Sequence, residues 1–295
     1  TTTAERAADA LARLRAAGWE AESDLLHASH YSFATTAIAT TYTNAAGRFR
    51  VNDNLCGYSF GAVDAVTQLP VAASAAAVAA IFGTGNGVPP SGAIALINNN
   101  SVGGPRSHGA SISASTGLAD FSFDAALCQR NLATSFTDAN AQRVRSGVDE
   151  VRRNANLGGR PAIIVHGRAD TLVPANFSSR VYFGRNQQVE GSASRLRYIE
   201  VTNAQHFDSF LGFPGYDTRF VPLHVYYLRA MDAMWAHLTQ NAALPQSQVV
   251  RTTPRGGVAG AAPAITAANL PPIATTAAAG DAITFVGGNT VFIPE

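Results

Sequence analysis

The 295-residue chain is 46% hydrophobic and 14% charged, with a formal net charge of +1, so it has material for one large or two modest domains and too much apolar content to be disordered over most of its length. All 21 basic residues are Arg and none forms a block, which argues against recruitment by nucleic acid or by an anionic membrane surface. No apolar run approaches the roughly 18 residues of a membrane-spanning helix.

In chain order, residues 4–17 predict a helix with Ala7, Leu11 and Leu14 on one face, stopped by Gly18, and residues 22–43 predict a weaker one. Residues 71–82 predict a short buried helix ended by Gly83. Residues 83–115 are rich in Gly, Asn, Ser and Pro and predict loop, with one strand at 93–97. Helical texture returns over 123–154, where Val144, Val148 and Val151 recur at helical spacing. After Gly158-Gly159 the character changes. Pro161 begins the run PAIIV, the signature of a strand buried on both faces. A helix follows at 176–186, a second strand at 196–201 (LRYIEV), and an amphipathic helix at 222–240 with Pro222 at its start. Strand, helix, strand and helix with short connections predict a parallel sheet flanked by helices. Residues 246–295 predict an extended tail with a hairpin-like piece at 283–293 around Gly287-Gly288-Asn289.

Two loops carry the chemistry. The strand in IIVHGRADTLVP is followed by a loop bearing Asp170, and the strand in LRYIEVTNAQHFDSF by a loop bearing His206, 36 residues later. In open α/β sheets the working residues lie beyond the carboxyl ends of strands. Neighbouring strands about 4.8 Å apart can therefore bring this carboxylate to this imidazole. A histidine base needs such a partner to fix its tautomer and to stabilise the imidazolium. Each residue also has a plainer role open to it: Asp170 as a helix cap or solvated acid, His206 as a surface histidine beside Asp208. Asp208 is a weaker candidate acid, since it shares a loop with its histidine. His166 is expected to pack at its strand end, His27, His30 and His108 to be ordinary, and His224 and His237 to be structural. The GTGNG run at 83–87 lacks a following Lys and precedes Val88-Pro89-Pro90, so it is not a phosphate loop. Cys56 and Cys128 lack zinc-site spacing, and their pairing stays open. No cofactor or metal is called for.

Gly57-Tyr58-Ser59-Phe60-Gly61 matches G-x-S-x-G, and the order Ser59, Asp170, His206 is that of an α/β-hydrolase triad. The surroundings are poor for an elbow. Mostly polar residues precede Ser59, Pro70 soon follows, and the 58 residues before it predict helices where a sheet and an oxyanion hole would be needed. Ser59 is therefore expected to be a decoy. The chain has no signal peptide and starts at Thr1 without Met, which predicts a processed chain, a cloning boundary or the C-terminal part of something longer.

The block LLHASHYSFATTAIATTYTNAAGRFRVNDNLCGYSF, the stretch GNGVPPS, and the two loop segments IIVHGRADTLVP and LRYIEVTNAQHFDSF together resemble the bacterial D-3-hydroxybutyrate-oligomer hydrolases, up to about residue 240 and over only the C-terminal part of that family's sequence. In the family the nucleophile lies in an upstream S-x-S-N-G-G type elbow. No such elbow occurs here, since Asn100-Ser101 and Gly288-Asn289 do not fit. The resemblance implies an α/β-hydrolase-like core with a largely helical cap over 1–157, the C-terminal part of the core over 158–245, and a tail over 246–295 that packs on it. It implies Asp170 and His206 as acid and base of a serine ester hydrolase acting through an acyl-enzyme on small oligoesters. An N-terminal segment of the same protein would complete the core, in a secreted or periplasmic setting. Two alternatives stand beside it: another carboxylesterase, feruloyl-esterase- or tannase-like and using Ser59, or a non-catalytic fragment that needs a partner segment.

Overall fold

Helix α1 (Thr3–Ala16) forms because Thr2 and Glu5 close a reciprocal capping box, the Glu5 N–H donating to Thr2 Oγ1 at 3.2 Å and the Thr2 N–H to Glu5 Oε2 at 2.6 Å. A 3₁₀ turn (Ala21–Leu26) and the single turn α2 (His27–Ser29) follow. The computed structural model describes residues 2–82 and 94–295, and the chain divides into two units, His30–Arg152 and Thr1–Ser29 with Arg153–Glu295. The expected division at 157/158 lies next to the return of the chain at Arg153, and the first 29 residues pack with the later part.

The unit His30–Arg152 opens with a π-helical segment (His30–Ile38) and α3 (Ala39–Gly47). It continues through β1 (Tyr58–Val63), β2 (Pro70–Val71), α4 (Ala75–Phe82), β3 (Ala95–Asn98), β4 (Arg106–Ser107), α5 (Phe123–Thr134) and α6 (Ala139–Glu150). Its strands form an antiparallel sheet in the order β2-β1-β3-β4. Helices make up most of the regular structure of this unit, but the expectation that LCGYSF lies in a helical segment is corrected, for it runs into a strand. Asn54, Cys56 and Gly57 all take positive φ, which ends helical geometry there, and Tyr58 to Gly61 then pair with Asn98 to Ala95. The buried helix expected over 71–82 is found as α4 from Ala75, and its Ala75, Ala76, Val78 and Ala79 are exposed, not buried. The expected strand at 93–97 corresponds to β3, while Ala93, Gly83 and the GTGNG run lie outside the described residues. Cys56 and Cys128 are joined as a disulfide with Cα atoms 5.5 Å apart, which ties the entry to β1 to helix α5. Helices α3 and α6 approach so closely that a Cβ at Gly147 would collide with the Ala46 carbonyl.

The other unit holds β5 (Ala162–Gly167), a 3₁₀ turn (Ala175–Phe177), α7 (Ser179–Glu190), β6 (Leu196–Val201), a 3₁₀ turn (Asp208–Gly212) and α8 (His224–Gln240). Next come β7 (Gln248–Val250) and the hairpin β8 (Thr284–Val286) with β9 (Thr290–Phe292). Strands β5, β6 and β7 make a parallel sheet in that order. Strand β7 comes from the expected tail: only three residues, Gln248–Val250, join the sheet, too few to stand out as a strand in sequence. Alternation along β6 divides its side chains. Ile199 and Val201 pack with Tyr226 of α8, Val221 and Leu270, while Leu196 and Tyr198 pack with Phe183 of α7, Val249 and Ile283. The expectation that PAIIV is buried on both faces is corrected as well. Residues 162–166 are half-buried, because β5 is the edge strand among the described residues.

Loss of the Cys56–Cys128 bridge, which spans 72 residues, should lower the stability of its unit. Cys128→Ser paired with Cys56→Ser is expected to cost about 2–4 kcal/mol. Thermal melts of the oxidised protein and the double variant check this; equal Tm values would show that the bridge contributes nothing.

Candidate active site

The carboxyl ends of β5 and β6 lie side by side, Gly167 paired with Val201, so the two loops leave the sheet together. The Arg168 N–H donates to the Val201 carbonyl at 2.8 Å and the Ala169 N–H to the Ala204 carbonyl at 2.9 Å. Gly167 permits this approach, since a Cβ there would strike the Ala204 carbonyl. Asp170 Oδ1 accepts the Leu172 and Val173 N–H groups at 2.9 and 2.8 Å, a local turn that aims the second oxygen outward. That oxygen, Oδ2, meets His206 Nδ1 at 2.8 Å. Asp170 is 5% exposed, so the pair is largely shielded on the acid side.

The arrangement has clear chemical capacity. Asp170 holds Nδ1, which fixes the tautomer and leaves Nε2 to take and return a proton. The hydrogen bond that His206 donates to Asp170 pushes the His206 pKa above its ordinary value, with burial opposing and the charge of Asp170 assisting. Phe207 stands edge-on to the imidazole, ring centroids 4.6 Å apart. His206 lines an apolar groove of about 780 Å³ with Ile163, Val165, Leu223, Tyr227 and Met231.

His166 is more involved than a packing residue at a strand end. Its Nε2 lies 3.5 Å from Asp170 Oδ2, and burial lowers its pKa against the opposing charges of Asp170 and Glu200. Asp208 is engaged elsewhere: its two oxygens accept the Leu223 and His224 N–H groups, each at 2.8 Å, and so cap α8. Ser59 belongs to the other unit. It lies in β1 paired with Ile97, an antiparallel strand position with no strand-turn-helix elbow, and its Oγ accepts from Asn99 Nδ2 at 2.9 Å. Among the described residues no group of three or more His, Cys, Asp or Glu could hold a metal ion, and no helix is long and apolar enough to cross a membrane.

Sequence reasoning missed the charge cluster beneath these loops. Glu200 on β6 has no exposed surface. Its Oε1 accepts from Arg168 Nε and Arg180 Nη2, both at 2.6 Å, and its Oε2 from Arg180 Nε and the Tyr198 hydroxyl, both at 2.8 Å. Burial alone would raise the Glu200 pKa, but the hydrogen bonds and charge of Arg180, with the charge of Arg168, outweigh it and hold the group below its ordinary value. Arg168, two residues before Asp170, also donates to the Pro294 carbonyl at 2.8 Å. In sequence, Glu200 is one polar residue inside a partly alternating strand, and only burial reveals its role.

A family model described as 3HB-oligomer hydrolase matches residues 1–295. The chain is 58% identical over 299 residues to a D-(-)-3-hydroxybutyrate oligomer hydrolase of Polaromonas naphthalenivorans and 59% identical over 299 residues to one of Albidiferax ferrireducens, covering 100% of this chain and 42% of each relative. One of Ralstonia pickettii is 53% identical over 285 residues, covering 96% of this chain and 38% of the relative. The chain thus spans less than half the length of these curated relatives. No solved structure matches it.

Truncating the buried carboxylate, Glu200→Ala, would leave two guanidinium groups facing each other without their acceptor. The expected loss is about 3–5 kcal/mol, measured by chemical denaturation; a loss under about 1 kcal/mol would show the cluster to be dispensable. The His206 ring should titrate above about 6.5, because its partner favours the charged form. With a raised folded-state value, the pair stabilises the fold fully below the unfolded pKa, about 6.5, and that contribution fades as pH rises through the folded value. Asp170→Asn should bring the ring's NMR midpoint down; an unmoved midpoint would contradict the assigned cause.

Proposed function

The chain belongs to the 3HB-oligomer hydrolase family, and from that premise we propose that it supplies the acid, Asp170, and the base, His206, of a serine ester hydrolase cleaving 3-hydroxybutyrate oligomers. The single observation that carries this reading is the 2.8 Å bond between Asp170 Oδ2 and His206 Nδ1 at the carboxyl ends of adjacent parallel strands. In the proposed reaction a serine hydroxyl gives its proton to His206 Nε2 as its oxygen attacks the ester carbonyl. The tetrahedral intermediate collapses, the C–O bond to the departing hydroxybutyrate breaks, and the imidazolium protonates the leaving alkoxide. Water, deprotonated by the same nitrogen, then cleaves the acyl-enzyme and frees the serine.

We place the nucleophile and the oxyanion hole in an N-terminal segment of the same protein and read Ser59 as a decoy. Three observations support this. Strand β5 ends the sheet with half-buried apolar residues, as an interior strand would if stripped of a neighbour. Leu228, Met231, Trp235 and Leu238 leave an apolar stripe exposed along α8. The relatives are also more than twice as long as the chain. The proposed core is α/β-hydrolase-like, with the His30–Arg152 unit as its cap. A disulfide suits an oxidising compartment, hence a secreted or periplasmic location.

His206→Ala in the whole protein should reduce hydrolysis of 3-hydroxybutyrate oligomers by at least about 10³-fold. Ser59→Ala should leave it within about twofold, the ordinary range for a surface-strand change. Hydrolysis that survives the first change, or fails with the second in a folded protein, overturns the assignment.

A further inference from the structure

Gly18 lies 158 positions before Asn176 and Glu22 181 before Asn203, yet the segment from Gly18 to Leu26 grips both loops. Its contacts fall in series. Asn176 Nδ2, on the 3₁₀ turn after the Asp170 loop, donates to the Gly18 carbonyl at 2.5 Å. The Glu20 carboxylate accepts from Arg180, which in turn holds the buried Glu200. Glu22 Oε2 accepts the backbone N–H of Asn203 at 2.6 Å, three residues before His206. Leu26, 2% exposed, packs with Ala169 of the acid loop and with Phe220.

Asn203 is held at the start of the His206 loop. It takes a left-handed φ of 53°, a turn conformation that asparagine adopts more readily than other non-glycine residues, and its carbonyl accepts the Val221 N–H at 2.8 Å. Its amide N–H is directed at a carboxylate that no sequence neighbour supplies. An ionised acceptor makes such a bond about twice as strong as a neutral one.

We propose that the 18–26 segment is a brace for the acid and base loops, with Glu22 as a positioning residue that sets the His206 loop through the Asn203 amide. This rests on the reading of Asp170 and His206 as a working pair, but the grip itself can be tested without turnover. The brace is also sensitive to pH. Burial raises the Glu22 pKa, against the Asn203 bond and the charge of Arg168, while Glu20 and Glu200 add to the rise. As pH falls through this raised value, Glu22 takes up a proton in the folded state and the charged bond becomes a neutral one. Glu22→Gln is a permanent neutral analogue that can still accept through its amide oxygen.

The test uses the whole protein with Glu22→Gln and Glu22→Ala. Hydrogen exchange of a peptide covering 202–206 is followed by mass spectrometry, alongside the pH profile of oligomer hydrolysis. Glu22→Ala is expected to speed exchange at Asn203 about 10–100-fold, the equivalent of one hydrogen bond to a charged group. It should lower kcat by up to about 100-fold with KM little changed, as for a misplaced catalytic group. Glu22→Gln should retain the fold, show intermediate exchange, and lose the acid-side change in Asn203 protection that the native protein shows. Unchanged exchange in both variants overturns the brace whether or not the protein is an esterase. Faster exchange with unaltered hydrolysis overturns its role in positioning. Faster exchange with no hydrolysis even in the native protein would instead retire the esterase reading and leave the grip standing. Should Glu22→Ala fail to fold, the pH dependence of Glu22→Gln decides alone.

Discussion

A carboxylate with no access to water must be fully partnered or it will not remain charged, and Glu200 meets that demand with two guanidinium groups and a phenol. Each partner comes from a different place: Arg168 from the end of β5, Arg180 from α7, Tyr198 from β6 itself. Satisfying one buried charge thus fixes strand, helix and loop relative to one another. Further bonds extend the network, from Arg168 to the Pro294 carbonyl and from Arg180 to Glu20 and Asn176. The chain joins it to the Asp170–His206 pair, since Arg168 begins the Asp170 loop and Glu200 lies near the end of the strand that leads to His206. A buried ionic cluster is a poor source of net stability, and here its value is geometric: it permits few alternative arrangements of the two loops.

Much of this unit was legible from local pattern. The run PAIIV, the partly alternating LRYIEV and the amphipathic stretch before Gln240 each announce an element because periodicity and length agree. The loops after the two strands followed from topology, so the neighbouring positions of Asp170 and His206 could be anticipated. What escaped was non-local. Gln248–Val250 is too short to announce a strand, and it pairs because β6 offers an edge. Glu22 and Asn203 are 181 positions apart, and nothing in either neighbourhood signals the other. Asp208 looked like a rival acid because sequence shows proximity to His206, while the helix N-terminus that engages it lies 15 positions on.

The His30–Arg152 unit shows a different failure of pattern. Ala- and Thr-rich segments before residue 50 lean towards helix, and the family resemblance implied that LCGYSF belongs to a helical cap, whereas positive φ at Cys56 and Gly57 turns the chain into β1 there. Strand β1 is stabilised by what it pairs with, β3, and by the disulfide at its entry. Propensity is a weak prior beside such tertiary constraints. The G-x-S-x-G match is the sharpest instance: five residues spell a motif whose meaning depends on backbone geometry, and the backbone here is an ordinary antiparallel strand.

The bonds that bind the two loops to remote residues also bear on how the chain reaches its native state. Glu22 with Asn203, Glu20 with Arg180 and Arg168 with Pro294 close loops of 181, 160 and 126 positions. Contacts of such separation pay their entropic cost before they return any stabilisation, so they form late. On the ribosome, the parallel strands and α7 can emerge and collapse while Arg168 still lacks its last acceptor. The Arg168 bond to the Pro294 carbonyl can close only after synthesis has passed residue 294, so this link of the network beneath the two loops is added last.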